Sequence, residues 1–204
     1  MSSSATPRQG NRAKCGERYQ EARRTALELF AEHGFSRVGM RDLAAQLGIA
    51  PGSLYNHMES KEAVLFEFIE ELYWRLLQGA EQVAEGGARS DARLRELLDI
   101  HLRLHESMPL HFRLAEFELH CLSPEQRSRI LTLRERYEDH WLQTITQLFG
   151  RTPCATLRSA LRGIVSLLNQ LPSWTRCASG NRQLQHDMVL GALCGALGEP
   201  IRSL

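Results

Sequence analysis

Residues 41–57 of the chain are RDLAAQLGIAPGSLYNH, and this stretch decides the fold. Residues 41–47 have helical spacing of their apolar side chains, and Gly48 then ends that helix. A second short helix is predicted to open at Pro51, because proline costs nothing at a first helical position. The side chains that close a small core between the two helices are Leu43, Ala44, Ile49 and Leu54. Two short helices joined by a tight turn with glycine are the ingredients of a helix-turn-helix.

Helical spacing continues on both sides of this stretch, and no window alternates for long enough to predict a strand. Upstream, one apolar stripe begins at Tyr19 and ends at Gly34. Downstream, Ser60 caps a helix that continues toward Gly79 and the glycine pair at 86–87. Five more helical segments follow, at residues 91–107, 109–122, 124–149, 153–171 and 181–197. The sequence predicts an all-α protein of about nine helices, with a three-helix helix-turn-helix domain followed by a larger helical domain.

The composition is that of an ordinary soluble globular protein. The chain has 204 residues, of which 43% are hydrophobic and 24% charged. No stretch approaches the length of apolar sequence that a membrane helix needs, so no membrane partner is predicted. The first ten residues lack the apolar segment of a secretory signal, and a cytoplasmic protein is therefore expected.

Enzyme motifs and cysteine frameworks are absent from the sequence. It contains no G-x-S-x-G elbow, no glycine-rich phosphate loop and no C-x-x-C pair among its five cysteines. The carboxylates of Glu135 and Glu138 accompany Arg134 and Arg136, and we interpret them as solvated charges on a helix face. We predict no enzyme, no catalytic residue, no cofactor and no assigned metal site.

The polar residues of the second short helix favour contact with DNA. Ser53, Tyr55, Asn56 and His57 lie outside the small core, and their side chains can reach base edges and phosphates from a major groove. The net charge of +1 hides a basic beginning, because residues 1–27 hold six basic side chains and only two acidic ones. This basic segment is interpreted either as a solvated tail or as an arm that reaches a minor groove.

The stretch from Arg24 to Phe68 resembles the DNA-binding domain of TetR-family transcriptional regulators. The landmarks that carry this resemblance are ALELFAEHGF at 26–35, RDLA at 41–44, GSLYNHM at 52–58 and SKEAVL at 60–65. The resemblance implies that the third helix enters the major groove and that Lys61, at the start of the fourth, contacts a phosphate. Together with Asn56, the predicted DNA-binding residues are Arg41, Pro51, Gly52, Ser53, Tyr55, His57 and Lys61.

Three positions depart from the family pattern: Met58 stands where the family usually has Phe, an apolar change that should preserve packing, and the other two concern helix caps. Gly39 stands where the family usually has Ser or Thr, and Ala50 stands where it usually has Ser. Each change removes a side-chain cap worth about 1 kcal/mol, although glycine is itself a fair cap.

The resemblance also implies the domain organisation. We expect a flexible basic arm at 1–14, a helix-turn-helix DNA-binding domain at 15–60, and a ligand-binding and dimerisation domain at 61–204. The family implies a homodimer, and the apolar stripe from Leu157 to Leu171 together with small residues near Gly191 and Gly195 suits a four-helix bundle across a two-fold axis. The expected partners are therefore a double-stranded operator, a small effector and a second copy held through the last two long helices.

Polar groups on an apolar helix face mark candidate ligand residues. His101 and His105 lie one turn apart on the apolar stripe of residues 91–107. Three interpretations remain open: a polar anchor in an organic-ligand pocket, a metal pair with a third ligand among Glu116, Glu118, His111 and His120, or structural histidines with hydrogen-bond partners. Aromatic walls for such a pocket would come from Phe112, Phe117, Trp141 and Trp174.

A second, fainter resemblance concerns the ligand. The segment Trp174-Thr175-Arg176, followed by Gly180, is similar to the W-Y-R-P-x-G stretch of TetR-family regulators of fatty-acid and steroid catabolism. It implies an acyl thioester or another amphipathic catabolite. The predicted function is a repressor released from a palindromic operator by such an effector; the alternative is a small-molecule-binding or thiol redox sensor without operator-specific DNA binding.

Overall fold

The computed structural model describes residues 8–55, 58–174 and 182–198, and side chains within 18–55, 58–170 and 182–198. Across these residues the chain forms nine α-helices and no strand, so the predicted all-α fold is confirmed. Two 3-10 turns, Phe35–Arg37 and Leu119–Cys121, join some of them. The helices are α1 (Arg8–His33), α2 (Met40–Gln46), α3 (Pro51–Leu54), α4 (Lys61–Glu85), α5 (Ser90–Ser107), α6 (Pro109–Phe117), α7 (Pro124–Phe149), α8 (Ala155–Trp174) and α9 (Arg182–Leu197).

The chain divides into two compact units, which we call unit 1 and unit 2. Unit 1 contains residues 1–69 and 113–127, and unit 2 contains residues 70–112 and 128–204. This division differs from a single boundary after residue 60. The first turns of α4 belong to unit 1, where Val64 and Phe68 are buried. Residues 113–127 return to unit 1, where Glu118 Oε1 accepts a hydrogen bond from the backbone N–H of Phe35 at 3.1 Å.

The first helix begins earlier than its apolar stripe predicts. It starts at Arg8, inside the segment 1–14 that we expect to be a flexible arm. Ala, Arg, Gln and Glu are good helix formers, which explains how a helix extends upstream of the apolar stripe. It ends at His33, and Gly34 follows with φ +86°, a conformation that favours glycine.

Helix α4 runs through Gly79 without a break and ends just before Gly86. At Gly79, α4 approaches α5 closely, because a Cβ added there would lie 2.6 Å from Cγ2 of Ile100. A glycine inside a helix costs about 1 kcal/mol relative to alanine. Close packing against α5 accounts for its presence here.

Local signals set the ends of the next helices. At the start of α7, Ser123 N–H donates to Gln126 Oε1 at 3.1 Å and Gln126 N–H donates to Ser123 Oγ at 3.2 Å, which confirms the predicted capping box. Helix α6 ends at Phe117, earlier than the spacing of residues 109–122 predicts, and the chain continues in the 3-10 turn Leu119–Cys121.

Among its described residues, unit 2 has a mostly apolar interior that also contains a buried carboxylate. Helix α8 packs on α9, and Leu161, Leu168 and Leu193 are buried. Glu138 on α7 is 0% exposed, so its interpretation as a solvated charge is wrong. Its two oxygens accept hydrogen bonds from Arg134 Nε at 2.8 Å and Arg162 Nε at 3.1 Å, and these charges compensate its burial.

Among the described helices, none combines the length and apolar character that crossing a membrane requires.

Candidate DNA-binding surface and ligand cluster

The small core of the helix-turn-helix forms as the sequence predicts. Leu43, Ala44 and Leu54 are 0% exposed, and they join α2 to α3. Between the helices, Gly48 has φ +64°, and the N–H of Ile49 donates to the carbonyl of Ala44 at 3.0 Å. The tight turn therefore depends on glycine at this position.

The two unusual caps have different structural outcomes. Gly39 has no cap side chain, but its N–H donates to Asp42 Oδ2 at 2.7 Å, so one half of a capping box is kept. Ala50 makes no side-chain cap, and the first turn of α3 is closed only by Ser53 N–H donating to the Ala50 carbonyl at 2.9 Å.

The candidate DNA-binding residues that can be placed lie at the surface of unit 1. Tyr55 is 58% exposed, an unusual degree for a large aromatic side chain. Together with it, the exposed candidates are Arg41, Pro51, Gly52 and Ser53. Asn56 and His57 lie outside the described residues.

Lys61 has a structural partner that sequence reasoning missed. Its Nζ donates to the carbonyl of Phe35 at 2.8 Å and to the carbonyl of Val38 at 3.0 Å, and it lies 4.0 Å from the centre of the Phe35 ring. An ammonium has three donors, so one remains for a phosphate. Lys61 therefore ties the turn before α2 to the start of α4. No local pattern reveals this, because the partners are more than twenty residues away.

The two candidate histidines of unit 2 lie in one aromatic cluster, formed by His101, His105, Phe112, Tyr137 and Trp141. His101 is 0% exposed, and its Nδ1 is 2.8 Å from the hydroxyl of Tyr137. The ring of Phe112 lies 5.1 Å from that of His101 and 4.5 Å from that of His105. His105 Nε2 is 3.0 Å from the carbonyl oxygen of Asn169, which requires the imidazole to donate.

Two polar atoms in this cluster have no partner among the described residues at hydrogen-bonding distance and angle. They are His101 Nε2 and the indole Nε1 of Trp141, and both are buried. Burial, with a smaller contribution from the neighbouring His105, lowers the pKa of His101 to about 3, although the nearby amide of Asn169 acts in the opposite direction. Burial also raises the pKa of Tyr137, whose hydroxyl lies beside Trp141. His101 is neutral at physiological pH.

Not every candidate ligand residue joins the aromatic cluster. Phe117 is the last residue of α6, belongs to unit 1 and is 59% exposed, whereas the aromatic cluster lies within unit 2. The side chain of Trp174 lies outside the described residues, as do residues 175–180 of the fainter resemblance.

The metal interpretation of the two histidines finds no support in the described part of the chain. His101 Nδ1 and His105 Nε2 already contact Tyr137 and Asn169. In that part of the chain, the one group of three metal-type ligands is Glu118, His120 and Cys121, which contains neither histidine. Sequence reasoning named Glu118 and His120 only as possible third ligands for the histidine pair and did not group them with Cys121, although an acidic residue followed by a His-Cys pair is a visible signal.

The thiols differ in their exposure. Cys154 is exposed, Cys121 is half-buried and Cys194 is buried. Burial raises the pKa of the Cys121 thiol, with Glu118 adding to the rise and Ser36 opposing it. Such a thiol is less reactive as a nucleophile at neutral pH, which disfavours a redox switch at Cys121.

Two family models match this chain. The model described as bacterial regulatory proteins of the tetR family matches residues 23–68, and the one described as the tetracyclin repressor-like C-terminal domain matches residues 87–183. The HTH-type transcriptional repressor KstR2 of Rhodococcus jostii strain RHA1 is 26% identical over 118 residues. That alignment covers 57% of this chain and 58% of the relative, which is less than two thirds of the relative's length.

Solved structures share the fold. The ketosteroid transcriptional regulator KstR2 of Mycobacterium tuberculosis superposes with a TM-score of 0.75 at 23% identity, covering 87% of this chain and 94% of that one. AibR, solved in complex with isovaleryl coenzyme A and operator DNA, superposes with a TM-score of 0.70 at 19% identity, covering 84% and 96%. The two family models fall on the helix-turn-helix and on the helices after it, and the chain therefore belongs to the TetR family of bacterial regulatory proteins.

Proposed function

We propose that this regulator is a repressor that an amphipathic or apolar effector releases from a palindromic operator. The observation that carries the DNA-binding half of the proposal is the exposure of Tyr55, which directly follows α3, and of Arg41 and Ser53, in a helix-turn-helix whose core is fully buried. Tyrosine, arginine and serine can donate hydrogen bonds to base edges and phosphates. Each subunit would place α3 in one half-site, with half-site centres about 34 Å apart or somewhat more.

A homodimer through α8 and α9 would supply the two-fold symmetry of such an operator. Leu184 and Met188 lie one turn apart on α9 and are 46% and 40% exposed. Gly195 and Ala196 on the same helix are also exposed, and small residues let helices approach closely. These side chains support a surface that a second copy covers.

We expect Leu184→Glu to dissociate this dimer, because a charge would be buried in the proposed interface. Sedimentation should give twice the mass of the chain for the unmodified protein and the mass of one chain for the variant. Phe117→Glu, at an apolar position in unit 1 that is 59% exposed, is the matched control and should leave the dimer intact. A dimer that survives Leu184→Glu contradicts this interface.

The proposed effector class follows from the aromatic cluster of unit 2. His101 Nε2 and Trp141 Nε1 are polar atoms without ordinary partners among the described residues, in apolar surroundings where a partner is worth most. An organic molecule with an apolar body and a carbonyl or similar acceptor could supply one. AibR was solved with isovaleryl coenzyme A, an acyl thioester, and KstR2 is described as a ketosteroid regulator; the first supports an acyl thioester and the second an apolar effector more generally.

The experiment that tests operator binding is fluorescence anisotropy with DNA from upstream of the protein's own coding sequence, against scrambled DNA, at two salt concentrations. We expect selective and salt-sensitive binding. Tyr55→Ala should weaken it by about 1–3 kcal/mol, which is five- to 150-fold, without loss of stability, because the side chain is exposed. Trp74→Ala, which removes a 49% exposed aromatic from α4, is the matched control and should bind normally.

Two outcomes would contradict the proposal. Unchanged affinity in Tyr55→Ala would remove the recognition role of α3, and equal affinity for scrambled DNA would leave a sensor without operator-specific binding. The same assay tests the effector, because acyl thioesters of increasing chain length should release the DNA while free coenzyme A should not. Release by free coenzyme A would overturn the apolar requirement.

A further inference from the structure

The segment between α6 and α7 brings three metal-type ligands together in unit 1. The backbone folds into a 3-10 turn in which Cys121 N–H donates to the Glu118 carbonyl at 2.9 Å. Residues three apart lie on the same side of such a turn. As a result, Cys121 Sγ is 3.5 Å from Glu118 Oε2 and 3.4 Å from His120 Nε2. All three donor atoms lie within 4.8 Å of one another.

We propose that Glu118, His120 and Cys121 form a binding site for a divalent zinc-like ion, and that this ion is a second regulatory input to the helix-turn-helix. Carboxylate, imidazole and thiolate are the ligands that zinc takes in proteins. With Zn–S near 2.3 Å and Zn–N or Zn–O near 2.0–2.1 Å, tetrahedral geometry separates sulfur from the other donors by about 3.5 Å. The two measured separations from Sγ, 3.4 and 3.5 Å, match this value.

The site is accessible and leaves one position open. His120 is exposed and Cys121 is half-buried, so an ion can enter from solvent. Three protein ligands leave the fourth tetrahedral position to water. On binding, the thiol releases its proton to solvent and the thiolate sulfur coordinates the ion.

The link to DNA binding runs through the two oxygens of Glu118. Oε2 faces the cluster, while Oε1 accepts the N–H of Phe35 at 3.1 Å, in the turn that leads into α2. Ser36 Oγ lies 3.8 Å from Cys121 Sγ in the same turn. An ion on Oε2 would fix the carboxylate that holds Phe35, and Lys61 holds the carbonyl of that residue from the other side. The ion therefore acts on the turn that positions the helix-turn-helix.

Cobalt titration of the full-length, reduced and chelator-treated protein tests the site. We expect one equivalent of Co²⁺ to give a thiolate-to-cobalt absorption band in the near ultraviolet and the strong visible bands of tetrahedral coordination, both removed by Zn²⁺. Cys121→Ser and His120→Ala should each lose these bands. Each should lower the affinity for the ion by more than roughly 10–100-fold, which is the loss expected when only a residue hydrogen-bonded to a metal ligand is removed. Cys154→Ser, which removes an exposed thiol on another segment, should keep them.

The absence of a thiolate band in the unmodified protein, or its survival in Cys121→Ser or His120→Ala, would overturn the site. We expect both variants to fold, because His120 is exposed and Cys121 is half-buried, and circular dichroism checks this. Operator affinity measured with and without Zn²⁺ tests the regulatory role, which an unchanged affinity would overturn. Because operator binding of the chelator-treated protein is measured separately, failure of the metal site is distinguishable from failure of the DNA-binding function.

Discussion

Lowering the pH from about 7.5 to about 5 should reduce the free energy of unfolding by about 2 kcal/mol through His101 alone. The pKa of this buried imidazole is lowered to about 3 in the fold, against an ordinary value of 6.5. Between these two values the unfolded chain binds a proton that the folded chain does not. The stabilising contribution is therefore complete above pH 6.5 and is lost as the pH falls toward 3, at about 1.4 kcal/mol per pH unit.

Urea unfolding at a series of pH values measures this effect. In His101→Gln the amide can still contact the Tyr137 hydroxyl but cannot titrate, so the dependence on pH should flatten by the predicted amount. His33→Gln, which removes an exposed imidazole from α1, is the control and should keep the full dependence. His105 and Asn169 also face this ring, and His105→Gln separates the contribution of the neighbouring histidine. The same slope in His101→Gln and the unmodified protein would contradict the prediction.

Lys61→Met should destabilise the protein by about 2–3 kcal/mol and also weaken operator binding. The variant loses two charge-assisted hydrogen bonds to the carbonyls of Phe35 and Val38 and a cation–π contact with the Phe35 ring. Because these hydrogen bonds are only part-buried, the loss of stability is well below the sum expected for fully buried bonds. Without these contacts the turn before α2 is less rigid, and α2 and α3 are therefore positioned less well for DNA.

Arg41→Met is the matched comparison, because Arg41 is an exposed candidate DNA contact. It should weaken operator binding with little change in the urea midpoint, whereas Lys61→Met should change both. The salt dependence separates the two roles of Lys61. If its remaining donor contacts a phosphate, the slope of log affinity against log salt should fall by about 1 in Lys61→Met; an unchanged slope indicates positioning alone. A Lys61→Met variant as stable as the unmodified protein would contradict the structural role.

Features that depend on neighbouring residues could be predicted from the sequence. The capping box at Ser123 gave the start of α7, and Gly48 and Pro51 gave the turn and the start of α3. Apolar spacing identified Leu43 and Leu54 as core residues, and it placed the neighbouring Tyr55 outside this core, where it is exposed. Each of these signals acts over a few residues, which is the range that periodicity and capping rules describe.

Features that depend on distant partners could not be predicted. Glycine usually ends a helix, but α4 continues through Gly79 because Ile100 of another helix packs against it. The charge pattern around Glu138 favoured a solvated face, whereas Arg162 of α8 completes a buried ion pair with it. Periodic aromatic residues favoured a common wall, but α6 ends at Phe117 and leaves that ring exposed.

The ligand residues show the same division. The spacing of His101 and His105 correctly predicted a shared face, but only the structure brings Tyr137 and Phe112 to it. The cluster of Glu118, His120 and Cys121 was not predicted because residues 109–122 were interpreted as one helix, whereas the chain leaves α6 at Phe117 and forms a 3-10 turn in which Glu118 and Cys121, three residues apart, meet.

The burial of Trp141 beside Tyr137 gives unit 2 an optical reporter of its own interior. The two rings are 6.3 Å apart, close enough for the phenol to pass its excitation to the indole, and the His101 ring lies 6.1 Å from that of Tyr137. An indole in such dry surroundings emits at shorter wavelength than Trp74, which is 49% exposed. A molecule that reaches His101, or water that enters when the imidazole takes up a proton, should therefore shift the emission wavelength of the intrinsic tryptophan fluorescence.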